Sequence, residues 1–284
     1  MSDPSDSLER QAARDLLAFY AEAGVDAAIG ETPVNRFDDP PPAAETSAPA
    51  TASPQRRTRV APPVAAAAAM LPPQAPDEAA MQARAAARNA RTLDELREIL
   101  RNFDGCALKT TAKQMVFADG NPQAKVMFVG EAPGREEDIS GLPFVGRSGQ
   151  LLDRMLAAIG LDRTTAYISN IIPWRPPGNR EPTPQESTIC LPFIQRHIEL
   201  VDPTVLVCLG KPSSQTLLNL KDGILKSRGR WYGYNAPHRT IRAMVTLHPA
   251  YLLRQPIQKR LAWRDFLAIR KELDAVAAQT AQTD

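Results

Sequence analysis

The chain has 284 residues, 43% of them hydrophobic, with 34 Lys+Arg against 32 Asp+Glu and a formal net charge of +2. That length suggests one or two domains, and no run approaches the roughly 18 consecutive apolar residues needed to cross a bilayer, so a membrane partner is not expected. Three cysteines, Cys106, Cys190 and Cys208, make no even disulfide framework, and a reducing, cytoplasmic setting follows as the expectation.

Residues 1–38 contain "SLERQAARDLLAFYAEAGVDAAIG", which places Leu8, Leu16, Leu17, Phe19 and Tyr20 on an approximate helical face, with Gly30 as a stop. Two readings stand: a plain surface helix, or one that docks on the core or on a partner protein. The segment has no basic start, apolar centre or cleavage site, so it is not read as a signal peptide. Residues 39–80 are dominated by Pro, Ala, Ser and Thr; with almost nothing large to bury they cannot offset their ordering entropy and read as a disordered linker. Charge divides at the same place. Residues 1–80 hold 6 Lys+Arg and 12 Asp+Glu, leaving 28 and 20 for residues 81–284, the expected folded domain, whose excess positive charge suits a polyanion such as nucleic acid.

Within 81–284, strands and helices alternate. "AKVMFVG" is a first apolar strand, and "SGQLLDRMLAAIGL" puts Leu151, Leu152, Met155, Leu156 and Ile159 on one helical stripe. "TAYISNII" is a second strand. "TPQESTICLPFIQRHIELV" opens with Thr183 followed three residues later by Glu186, a capping box with Pro184 in the first turn. "TVLVCLG" is a third strand, "KPSSQTLLNL" a helix, "RTIRAMVTLHP" a fourth strand, and "QKRLAWRDFLAIRKELDAVAA" a closing helix with Leu261, Phe266, Ile269 and Leu273 inward. Continuous apolar strands joined by helices imply an α/β fold: a mainly parallel, four-stranded sheet with helices on both faces. Ligands bind such sheets beyond the carboxyl ends of the strands, so "GEAPGREED", "NIIPWRPPGNR" and "HPAYLLR" are expected to meet at one site.

The first of these loops lacks the Gly-Lys-Ser/Thr of a phosphate loop and the spacing of a dinucleotide fingerprint. It offers Glu131, Glu136, Glu137 and Asp138 instead, as solvated acids or, for Glu131 directly after the strand, as a site carboxylate. Phe144, between a proline and glycines in "GLPFVG", is either a stacking platform for a base or loop packing. Asn170 ends the second strand, where its amide offers a donor and an acceptor side by side, suited to the edge of a flipped base as well as to a turn. His248, one of 3 histidines, closes the fourth strand. There it caps the strand or donates to an oxygen developing negative charge.

These segments, with "GLPFVGRSGQLL" and "NIIPWRPPGNREPTPQE", resemble in order and spacing the motifs of the family 4 uracil-DNA glycosylases, DNA-repair enzymes of the uracil glycosylase superfamily; the resemblance spans about residues 90–275. It implies a three-layer α/β/α domain that hydrolyses the N-glycosidic bond of uracil in DNA and leaves an abasic site. Glu131 and, through Ala132, the adjoining backbone would line the place where water attacks, Phe144 would stack on uracil, Asn170 would read its edge and His248 would contact O2. Glu137, placed with Glu131 and His248 in the catalytic set, would lie at the C5 face and help exclude thymine, and Asn179 would support the loop. Tyr251, Leu252 and Arg254 belong to a segment that would enter the minor groove, and Arg147, Arg175, Arg180 and Arg254 would meet phosphates. No lysine in the motifs is placed for a Schiff base, and the Arg-Ile-His run of the covalently trapping branch is missing, so a monofunctional, monomeric hydrolase is the expectation.

One departure from the pattern stands out. The family's four-iron four-sulfur cluster uses four cysteines, and here Phe103 and Trp174 occupy two of those positions while Cys106 and Cys190 keep the others. Two thiolates cannot supply the four ligands, so no cluster and no other cofactor is expected. Cys208, mid-strand, reads as a small buried hydrophobe. The rival class is a catalytically weak DNA-binding or scaffold protein on the same fold; the set Glu131, Phe144, Asn170 and His248 argues for the enzyme, since a binder does not need it.

Overall fold

The computed structural model describes residues 76–281; the N-terminal helix and most of the linker read from the sequence lie outside them. Helix α1 (Pro76–Asn89) already starts inside the stretch 39–80, with Asp77 and Glu78 in its first turn, where acids complement the helix dipole. Ala79, Ala83 and Ala87 recur at helical spacing and are buried with Ala80 and Ala90. A composition that looked too poor in large side chains to fold therefore forms a close-packing alanine face, and the folded part begins earlier than residue 81.

Helix α2 (Leu93–Asn102) is capped by Thr92, whose Oγ1 accepts from Glu95 N at 3.1 Å. A short turn α3 (Leu108–Thr111) leads to strand β1 (Ala118–Gly120) and β2 (Val126–Gly130). Helices α4 (Arg135–Ser140) and α5 (Arg147–Ala157) precede β3 (Tyr167–Asn170); α6 (Pro184–Val201) precedes β4 (Val205–Leu209). Then come α7 (Lys211–Leu218), α8 (Ile224–Ser227), β5 (Trp231–Asn235), β6 (Thr240–Thr246), α9 (Pro249–Arg254) and α10 (Lys259–Ala281). The expected capping box holds: Glu186 N donates to Thr183 Oγ1 at 3.2 Å and Thr183 N to Glu186 Oε2 at 2.7 Å.

The sheet runs β1-β3-β2-β4-β6-β5. Its inner strands β3, β2, β4 and β6 are parallel, matching the strands read from the sequence. Two antiparallel edges, β1 on β3 and β5 on β6, complete a six-stranded mixed sheet where four strands had been expected. Neither edge shows a buried strand's pattern: β1 is three residues ending in glycine, and β5 alternates only weakly in burial.

Alternation along the inner strands builds two cores. Met127, Val129, Tyr167, Leu206, Ile241 and Ala243 face α1, α2 and α6. Val126, Phe128, Ile168, Val205, Val207, Leu209 and Met244 face α5 and α10. This is the α/β/α sandwich. Both neighbours of β2 follow it in the chain, β3 on one side and β4 on the other, so the order reverses at β2 and opens a crevice at its carboxyl end.

Candidate functional site

A cavity of about 710 Å³ occupies that crevice. It brings together Glu131, Ala132, Glu137, Phe144, Arg147, Asn170, Asn179, Arg180, His248, Tyr251 and Arg254, residues supplied by all the expected loops. Arg175 and Leu252 do not reach its wall.

The floor is set by strand register. Gly130 at the end of β2 pairs with Asn170 at the end of β3. A Cβ on Gly130 would come within 2.6 Å of Phe144 Cζ and closer still to Asn170 Oδ1, so the missing side chain is what lets the amide and the ring converge. Asn170 is buried, and its Oδ1 is the one buried side-chain acceptor without a partner among the described residues. An orphaned acceptor costs about 1–3 kcal/mol, a cost that a ligand N–H would remove. Phe144 is itself held in the left-handed region at φ 56°, rare for a non-glycine residue. Its ring lies 5.5 Å from that of His248, tilted by 33°.

His248 is the N-cap of α9 rather than the end of a strand. Its Nδ1 accepts from Ala250 N at 3.1 Å, with Pro249 filling the first helical position. Burial, then the nearby Arg254 charge, lowers the imidazole to about 4. The ring is thus neutral at pH 7, and because Nδ1 is an acceptor the proton sits on Nε2, a donor available to the cavity.

The four acids of the first loop divide. Glu131 lines the cavity, and burial, reinforced by the charge of Glu181, raises its carboxyl above the usual range. Glu136 is exposed. Glu137 does not have the free carboxylate expected of a catalytic group: Oε1 accepts from Val145 N and Gly146 N, both at 2.9 Å, and Oε2 from Gly134 N at 3.0 Å. It lines the cavity while stapling the Phe144 loop to the start of α4. Asp138, also buried, accepts from Lys113 N at 2.8 Å.

The second loop is arranged by polar pairs. Arg175 Nε donates to Asn179 Oδ1 at 2.7 Å and its Nη1 lies 3.8 Å from Asp138 Oδ2, so Arg175 supports Asn179 instead of facing the cavity. Arg180 lines the cavity but is engaged by Glu186 at 2.6 and 2.8 Å. On α9, Leu252 is 0% exposed and packs with Leu247 and Ala262, whereas Leu253 is 37% exposed and Ile257, in the turn that follows, 68%. The helical period turned the expected wedge residue inward and its neighbour outward. Lys211, at the start of α7, also lines the cavity; the loop after β4 had not been singled out, although as the carboxyl end of a parallel strand it was marked by the same rule as the others.

Behind this wall, Phe103, Cys106, Trp174 and Cys190 share one core cluster. Phe103 packs edge-on against Phe193 at 5.0 Å, and Trp174 is fully buried. The thiols are 3.9 Å apart, Cys190 donating to Cys106 Sγ, and that hydrogen bond, with burial behind it, holds the Cys190 thiol well above its usual range. Among the described residues no group of three or more His, Cys, Asp or Glu side chains is placed to hold a metal. Two thiols among aromatic rings do not fit a four-ligand cluster. Cys208 is buried mid-strand with its thiol pushed up to about 12, inert as expected.

Comparison with known proteins agrees with this geometry. Residues 117–267 match the uracil DNA glycosylase superfamily. The type-4 uracil-DNA glycosylase of Archaeoglobus fulgidus is 38% identical over 182 residues, 63% of this chain and 92% of that protein. That of Saccharolobus solfataricus is 37% identical over 188 residues, 64% and 87%. That of Thermotoga maritima is 39% identical over 171 residues, 57% and 86%. With the strand-end loops, the orphaned amide and the capped imidazole around one crevice, and relatives covered nearly end to end, the chain belongs to the uracil DNA glycosylase superfamily.

Proposed function

We infer that this chain is a DNA-repair hydrolase that cleaves the N-glycosidic bond of uracil in DNA and leaves an abasic site. The observation that carries the reading is the buried, unpartnered Oδ1 of Asn170 in the same cavity as Phe144 and His248. A flipped uracil offers its N3–H to that acceptor and its ring face to Phe144, a stack worth roughly 1–3 kcal/mol. As the C1′–N1 bond breaks, its electron pair moves onto the uracil ring and charge grows on O2, where the Nε2–H of neutral His248 donates to it. The sugar carbon becomes cationic; the Glu131 carboxylate stabilises it and orients the water, whose oxygen bonds C1′ as its proton passes to that carboxylate.

DNA lies across the cavity mouth. Arg147, Arg254 and Lys211 supply phosphate contacts, Arg180 after release from Glu186, and Tyr251 and Leu253 face the minor groove in place of Leu252. Glu137 shapes the C5 side of the base by fixing the loop, and Arg175 acts through Asn179. The enzyme is monofunctional and works as a monomer without a cluster, the family's cluster volume being filled by Phe103 and Trp174; a purified protein with the visible absorbance of an iron-sulfur centre would contradict this last point. No helix among the described residues is long and apolar enough to cross a membrane; the cytoplasm is the proposed site of action because the substrate is DNA.

The test is incubation of a uracil-containing oligonucleotide with the wild type, Asn170→Ala and His248→Ala, before and after alkali. Alkali-dependent breaks with the wild type, reduced about 100-fold or more in His248→Ala as for loss of an oxyanion donor, support the reading. An intact oligonucleotide leaves a DNA-binding protein, and breaks without alkali exclude a monofunctional enzyme.

A further inference from the structure

Phe144 carries an aromatic ring on a left-handed backbone at φ 56°, a conformation that persists only where its surroundings over-determine it. The staple from Glu137 restrains the amides that follow it, Val145 N and Gly146 N. The carbonyls are held from the other side by a residue outside every motif. Arg163, in the loop between α5 and β3, donates from Nη1 to Pro143 O at 3.0 Å and from Nη2 to Phe144 O. Its guanidinium is anchored in turn by Asp153 of α5, Nε to Oδ1 at 2.9 Å, and by Asp119 of β1, Nη1 to Oδ2 at 2.6 Å. Helix α5 closes under the same carbonyl, since a Cβ on Gly149 would overlap Phe144 O and C.

We propose that Arg163 is a positioning residue for uracil excision: its planar fork clamps the Pro143 and Phe144 carbonyls while Glu137 clamps the following amides, so that the Phe144 ring is pre-set as a stacking platform before the base arrives. Arg163 does not line the cavity and acts only through Phe144. A rigid fork suits this task and a lysine does not, because a single ammonium cannot hold both carbonyls and both carboxylates in one plane. Edge strand β1 thereby acquires a role in the site, as a carrier of the anchoring Asp119. The inference rests on the reading of Phe144 as the platform under the base.

A double-mutant cycle tests it. Single-turnover excision and inhibition by free uracil are measured for the wild type, Arg163→Met, Arg163→Lys, Phe144→Ala and the two double variants. Phe144→Ala is expected to lose about 5- to 100-fold, the worth of one base stack, and Arg163→Met a similar factor with weaker uracil inhibition. Arg163→Lys, which keeps the charge beside Asp119 and Asp153 and so the fold, is expected to lose part of that factor. In the Phe144→Ala background neither Arg163 substitution should lower activity further. Multiplying effects would show that Arg163 serves only general stability and would overturn the proposal, as would undiminished activity in Arg163→Lys. A fully active Phe144→Ala would remove the platform itself, a failure of the site reading rather than of the clamp.

Discussion

At the residue scale, protonation states separate the roles. His248 is held near 4 with a neutral ring, and Glu131 is raised above an ordinary carboxyl by burial and Glu181. In the proposed mechanism Glu131 acts ionised, so kcat/KM should fall as pH drops through that raised value and show no break at the ordinary histidine value of about 6.5. In Glu131→Gln the acid limb should vanish along with most of the activity. A profile of kcat/KM between pH 4 and 9 checks both; a break near 6.5 that is lost in His248→Ala would instead assign the limb to a charged imidazole. That Asn170, His248 and Phe144 line one crevice was readable in the sequence because each is a rare group at a loop start: an amide closing a strand, an imidazole just before Pro249 and an aromatic among glycines. It was not readable for Glu137 and Asp138, because a carboxylate that binds backbone amides and one that faces substrate look alike until the loop's N–H groups are placed. Arg163 was invisible for a related reason: the carbonyls it holds lie about 20 positions away along the chain.

Elements decide what those residues can reach. Strands β2 and β4 were legible because both of their faces are buried and they read as apolar runs, while β3 is buried throughout and β6 is buried from Ala243 onward. Edge strands β1 and β5 were not, since exposure on one side and a glycine in each blur the pattern. Helix α1 escaped notice because alanine reads as low complexity although it is the best helix former and permits close helix contact. For α9, the loop was recognised but its phase was not, and the helical turn exchanged Leu252 for Leu253 as the outward residue. The end of β2 yields a direct test. Gly130→Ala adds one methyl where Asn170 and Phe144 meet, so excision is expected to fall at least about tenfold, as for loss of one well-made hydrogen bond to the base. The thermal midpoint should shift by no more than a few degrees. Wild-type excision rates in that variant would mean the two side chains need not converge.

Across the whole molecule, the crevice at the strand ends is distinct from the apolar core between the sheet and α6, and one buried group in that core couples stability to pH. His197 donates to or accepts from Tyr167 Oη at 2.8 Å, stacks on Phe117 and is lowered by burial to about 3. Its folded-state value is below the unfolded one of about 6.5, so the unfolded chain takes up the proton first. Stability is complete above about 6.5 and declines as pH falls from there toward 3, by up to about 1.4 kcal/mol per pH unit. Denaturant midpoints at pH 7, 6 and 5 should decrease in that order, and the decrease should be smaller in His197→Phe; an equal slope in both proteins would place the dependence elsewhere. At the carboxyl end of β3, the proposed role of Asn170 is to read the edge of a single pyrimidine. The most direct measurement is inhibition of uracil excision by free uracil compared with 3-methyluracil, which keeps the ring and both carbonyls but has a methyl group in place of the N3 hydrogen. Uracil should compete, and 3-methyluracil should not compete measurably at concentrations where uracil does. Equal inhibition by the two would show that no N–H is delivered to Asn170 Oδ1.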